Sequence, residues 1–128
     1  MKRILLIEDD NDLRRMLRLT LQNLGCEVLE ARNGNEGLAI LQSADADVVL
    51  TDLIMPEKEG LETIQELRVK WPALVIVAMS GGGRFDARDN LRMAKYFGAK
   101  VVLAKPFSSE ELAKAIEVSS GTVDAAAS

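Results

Sequence analysis

The chain is predicted to be a three-layer (βα)5 protein: five parallel strands with helices on both faces. Three observations predict it. Five short strand-like runs occur, largely apolar at 4–7, 47–51, 74–79 and 101–104 and mixed in polarity at 27–31. Stretches with apolar residues at helical spacing separate and follow them. Four of the five runs end in polar groups: Glu8-Asp9-Asp10, Asp52, Ser80 and Lys105.

The first strand, 4–7, reads Ile-Leu-Leu-Ile and suits a position buried on both faces. Leu13, Met16, Leu17, Leu21 and Leu24 then recur at helical intervals, with Arg14, Arg15 and Arg18 on the other face. Gly25 is placed to stop that helix. The 27–31 run is short and mixed in polarity, which fits an edge strand. Asn33-Gly34 turns the chain into a second helix through Leu38 and Leu41 to about Ser43. The 47–51 run leads into Asp52, and Pro56 prevents its continuation. Leu61, Ile64, Leu67 and Trp71 form a helical stripe stopped by Pro72. The 74–79 run is the most β-like and enters Ser80-Gly81-Gly82-Gly83. A fourth helix carries Leu91, Ala94 and Phe97 inward and ends at Gly98. After the 101–104 strand and Lys105-Pro106-Phe107, Ser108 and Glu111 form a capping box, with Phe107 stapled to Leu112. Residues 1–120 form one domain, and 121–128 are expected to be a frayed tail.

Right-handed crossovers and an edge position for the second strand favour the flavodoxin-like order 2-1-3-4-5. Strands one and three are then neighbours at the switch point, so the acids after strand one face Asp52.

Composition narrows the chemistry. The 128 residues carry a net charge of −4 and no histidine. Histidine-based zinc sites, Ser-His-Asp triads and a phosphohistidine on this chain are excluded. The acidic balance argues against a nucleic-acid surface. The single cysteine, Cys26, excludes an internal disulfide. The N-terminal apolar run is too short for a signal peptide or a membrane span, and a cytoplasmic location is expected.

Carboxylates converging on one crevice repel one another unless a cation binds, and an all-oxygen donor set favours Mg²⁺. Lys105 adds a compact positive charge, Ser80 a hydroxyl, and the glycines allow close approach of backbone amides. Around one carboxylate these groups suit a phosphoryl group, with Asp52 as nucleophile. Each residue alone has a plainer reading. The acids can cap the first helix, with Asp10 or Asn11 as the cap; Ser80 can be a turn residue; Lys105 can be solvated. Four strand ends with matching chemistry outweigh those readings together.

Ile7-Glu8-Asp9-Asp10, Asp52-Leu53-Ile54-Met55-Pro56 with Gly60, Met79-Ser80-Gly81 and Lys105-Pro106-Phe107 together resemble the receiver domain of two-component response regulators, over about residues 2 to 120. The resemblance implies the CheY-like fold and a set of roles. Asp52 is the phosphoacceptor, charged by a sensor histidine kinase or a histidine phosphotransfer protein. Asp9, Asp52 and the Ile54 backbone carbonyl bind Mg²⁺, with Glu8 acting through water. Lys105 pairs with the phosphoryl group, and its bond to Pro106 is cis. Ser80 moves onto a phosphoryl oxygen and biases the face made by the fourth helix, fifth strand and fifth helix, which a partner or output domain reads. Val102 stands where the family often has an aromatic switch residue, so ordering of the loop after Ser80 is expected to carry the switch; Phe85 and Tyr96 are the alternatives. Arg88, Asp89, Arg92 and Lys95 read as a solvated helix surface, with a homodimer face on phosphorylation as the alternative.

Three other functions compete. A Mg²⁺-dependent phosphatase with an aspartyl nucleophile usually has a second Asp two residues on, and position 54 is Ile. A flavin-binding module would need a phosphate-cradling loop where three acids stand. A phosphorylation-independent, protein-binding receiver is opposed by the intact acid, Ser and Lys set.

Overall fold

Alternation of side chains along strands divides this protein's core into two halves, one on each side of a single sheet. The computed structural model describes residues 2–53, 60–80, 92 and 98–119. The strands are β1 (Arg3–Ile7), β2 (Glu27–Ala31), β3 (Val48–Asp52), β4 (Val75–Ser80) and β5 (Val101–Ala104). All pairs are parallel and the order is β2-β1-β3-β4-β5, as predicted. The helices are α1 (Asn11–Asn23), α2 (Gly34–Leu41), α3 (Gly60–Lys70) and a C-terminal helix (Ser109–Ser119).

Leu5, Ile7, Val49, Ile76 and Ala78 face α2 and α3 through Leu38, Leu41, Ile64 and Leu67. Their strand neighbours Ile4, Leu6, Val48, Leu50, Val77 and Met79 face α1 and the C-terminal helix through Leu17, Leu21, Leu112, Ala115 and Ile116. A strand covered on both faces has to be apolar at consecutive positions, which is why β1 and β3 show no alternation. Truncating a side chain such as the fully buried Leu50 to Ala would cost about 2–5 kcal/mol.

Strand and helix limits differ from expectation by one or two residues, as at β3 and β4, each of which includes its terminal Asp52 or Ser80. The orientation of α1 is a larger correction. Met16 is 57% exposed and Leu24 44% exposed. At 100° per residue Met16 lies about 120° from the midpoint of Leu17 and Leu21, outside the buried stripe. Leu24 is the cap residue beyond the last turn, followed by Gly25 at φ +89°, a conformation that favours glycine. Asn33 does more than turn the chain: its side chain accepts the Glu36 amide at 2.8 Å and caps α2. The predicted capping box is present, with Glu111 N–H on Ser108 Oγ at 3.0 Å and Ser108 N–H on Glu111 Oε1 at 2.9 Å.

Ile54, Pro56, the Gly81-Gly82-Gly83 loop, Phe85, Tyr96 and residues 121–128 lie outside the described residues. So does the predicted fourth helix, with Arg88, Asp89, Leu91, Ala94, Lys95 and Phe97, except Arg92, which is helical and exposed.

Candidate functional site

Parallel register brings the strand ends together. Ile7 pairs with Thr51, Asp52 with Met79, and Ser80 with Ala104, so each chemical group emerges beside the next. The Lys105 amide donates to the Ser80 carbonyl at 2.7 Å and the Leu53 amide to the Met79 carbonyl at 3.0 Å, extending these pairings past the strands. The Lys105–Pro106 peptide is cis.

Lys105 Nζ donates to Asp52 Oδ2 at 2.7 Å and to Glu8 Oε1 at 3.2 Å. Glu8 and Asp52 are buried and Asp9 is exposed. Carboxylate oxygens of all three lie within 4.8 Å of one another. Ligand oxygens around an octahedral ion held at about 2.1 Å are roughly 3–4 Å apart, so this all-oxygen set fits a small hard cation. Ser80 Oγ is buried and has no hydrogen-bond partner among the described residues. A buried hydroxyl without a partner is costly unless a ligand supplies one.

Burial pushes the Glu8 carboxyl up to about 7, and the neighbouring Asp52 charge pushes the same way. The Asp10 amide, donating to Glu8 Oε2 at 3.1 Å, and Lys105 oppose the rise. Burial alone would lower the Lys105 ammonium, but the Asp52 and Glu8 carboxylates outweigh it and hold it above its ordinary value. The cluster therefore carries more negative charge than one lysine balances, and a cation or a proton relieves it.

Glu8, Asp9, Asp52, Ser80 and Lys105 are thus brought together as expected, and Asp10 is not among them. Its side chain accepts the Leu13 amide at 3.0 Å and caps α1. Val102 sits on β5 opposite Ala78, half-buried against the core on the α2–α3 side. Two features were not anticipated. Arg14, expected on the solvent face of α1, turns back to the Glu8 carbonyl. A groove of about 580 Å³ beside Lys105 is lined by Leu13, Met16, Leu17, Pro106, Phe107 and Leu112. Nothing in the sequence pattern signals that groove, because Met16 reads there as one more residue of the buried stripe.

Residues 4–117 match the model of the response regulator receiver domain family. The chain belongs to this family. The receiver is 37% identical over 112 residues to the transcriptional regulatory protein CpxR of Klebsiella pneumoniae, covering 88% of this chain and 46% of CpxR. It therefore spans about half the length of that relative. Over 120 residues it is 38% identical to the response regulator receiver protein CpdR of Brucella abortus, covering 91% of this chain and 95% of CpdR. The response regulator protein TrrA of Thermotoga maritima, solved in complex with Mg²⁺-BeF, superposes with a TM-score of 0.81 at 31% identity, covering 92% of this chain and 98% of TrrA. Among the described residues no helix is long and apolar enough to cross a membrane.

Proposed function

We propose that this receiver accepts a phosphoryl group on Asp52 from the phosphohistidine of a sensor histidine kinase or a histidine phosphotransfer protein. The carrying observation is Lys105 Nζ 2.7 Å from Asp52 Oδ2, inside a cluster of three acids fit for a cation. In the transfer, an Asp52 oxygen attacks phosphorus, the P–N bond to imidazole breaks, and the imidazole leaves as the neutral ring after taking a proton. Asp9, Asp52 and the Ile54 carbonyl would hold Mg²⁺, with Glu8 acting through a water. When bound, the ion supplies positive charge against the phosphoryl oxygens. Lys105 exchanges its contact with the Asp52 carboxylate for one with the new phosphoryl oxygens. Ser80 Oγ, which has no partner among the described residues, donates to a second oxygen, and the buried hydroxyl gains a partner there.

The rest of the reading follows from that step. The domain covers 1–120, with 121–128 as a tail. It turns over no outside substrate and performs only self-phosphorylation and autodephosphorylation. The new dianion biases the face that includes β5 and the C-terminal helix, which a partner or output domain reads in the cytoplasm. Dimerisation on phosphorylation is the alternative output. The apolar groove beside Lys105 offers a docking surface to the phosphoryl donor.

Beryllofluoride, a phosphoryl mimic, tests the site. With Mg²⁺ present, fluorine NMR should show a bound species that disappears in Asp52→Asn and on chelation. Mg²⁺ binding without any bound beryllofluoride would favour the protein-binding receiver instead.

A further inference from the structure

The exposed ligand Asp9 makes no side-chain hydrogen bond among the described residues, so the backbone that carries it, together with its own rotamer, decides where its carboxylate sits. That backbone is held from behind. The Arg14 guanidinium donates from Nη1 to the Glu8 carbonyl at 2.8 Å. This carbonyl belongs to the peptide plane that leads into Asp9. Arg14 Nη2 donates to Asn11 Oδ1 at 2.7 Å, and Nε donates to Glu30 Oε1 at 3.3 Å. Glu30 lies on β2, and its other carboxylate oxygen pairs with Arg18 Nε at 3.1 Å. The Arg14 side chain is only 15% exposed. The Glu8 amide is fixed independently by the Ala31 carbonyl at 3.0 Å.

One planar guanidinium thus ties three pieces together: the end of β1, the first turn of α1, and β2. A lysine could supply the charge, but its ammonium at the end of a flexible stem would not hold three acceptors in one plane. We propose that Arg14 is a positioning residue for the metal site: by clamping the Glu8–Asp9 peptide it pre-sets the Asp9 carboxylate toward Asp52. The inference rests on the metal-site reading above. Residues behind a ligand commonly change metal affinity 10–100-fold when lost. Arg14 acts on the ligand through the backbone, so the lower end of that range, about tenfold, is expected.

The test is an amide NMR titration with MgCl₂ on wild type, Arg14→Gln, Arg14→Lys and Glu30→Gln, following Asp9 and Leu53. Urea unfolding in chelator accompanies it. Arg14→Gln and Arg14→Lys should each raise the Mg²⁺ dissociation constant about tenfold. Glu30→Gln, which leaves the acid loop untouched, should raise it by a smaller factor, about twofold to threefold. A merely structural arginine would lower the unfolding midpoint and leave Mg²⁺ affinity of the folded protein unchanged, and that result overturns the proposal. Wild-type affinity in Arg14→Lys would also overturn it, because charge alone would then suffice. If Arg14→Gln fails to fold, the Lys and Glu30 variants still decide. Absence of saturable Mg²⁺ binding in wild type would overturn the metal site itself, a different failure.

Discussion

Glu8 makes the stability of the metal-free receiver depend on pH in an unusual direction. Its carboxyl is buried and its pKa is raised from 4.5 to about 7, by burial first and by Asp52 second. Between those values the folded protein holds a proton that the unfolded chain has released. Stability therefore falls as pH rises through this window. The full gap, at about 1.36 kcal/mol per unit, amounts to about 3 kcal/mol, of which about 2 kcal/mol falls between about pH 5.5 and 7.5. A domain with about 5–15 kcal/mol of total stability would feel this clearly. The chain contains no histidine, so few other groups titrate in that range. The assay is urea unfolding in chelator across the window. Wild type should lose about 2 kcal/mol on going from about pH 5.5 to 7.5. Glu8→Gln, neutral throughout, should be nearly flat, and saturating Mg²⁺ should restore wild-type stability at the upper pH. A flat or rising wild-type profile, or the same fall in Glu8→Gln, would refute the reasoning.

Two further outcomes follow from the geometry. Asp10→Ala should lower stability by about 1 kcal/mol through loss of the α1 cap, with Mg²⁺ affinity in NMR titration close to wild type, whereas Asp9→Ala should abolish it. Met16→Glu places a charge in the groove beside Lys105; it should slow transfer from a phosphorylated donor protein while leaving modification by acetyl phosphate at the wild-type rate.

The fold was legible because strands buried on both faces must be apolar at consecutive positions. Leu5 and Leu6 are neighbours in the chain yet belong to opposite halves of the core. The order of the strands then brings Asp52 beside the acids after β1, so the grouping of the candidate residues was legible too. Side-chain direction along α1 was not. Leucine and methionine have similar hydropathy, and nothing in composition distinguishes the buried Leu17 from the exposed Met16. The α1 cap was narrowed in the sequence to Asp10 or Asn11, and where the helix starts decides for Asp10. The reach of Arg14 back to the Glu8 carbonyl depends on the turn between β1 and α1 and on Glu30, sixteen residues away. A pattern read on one helix does not contain that contact. The Glu8–Lys105 pair spans a sequence separation of 97 residues and becomes visible only once the sheet is assembled.

The central claim is that Asp52 is a phosphoacceptor served by Mg²⁺ and Lys105. Its most direct test is intact mass after incubation with Mg²⁺ and acetyl phosphate. Wild type should gain one phosphoryl group, while Asp52→Asn and wild type in chelator should gain none. An unchanged wild-type mass, with no bound beryllofluoride either, would contradict the account and leave a receiver that works by binding alone.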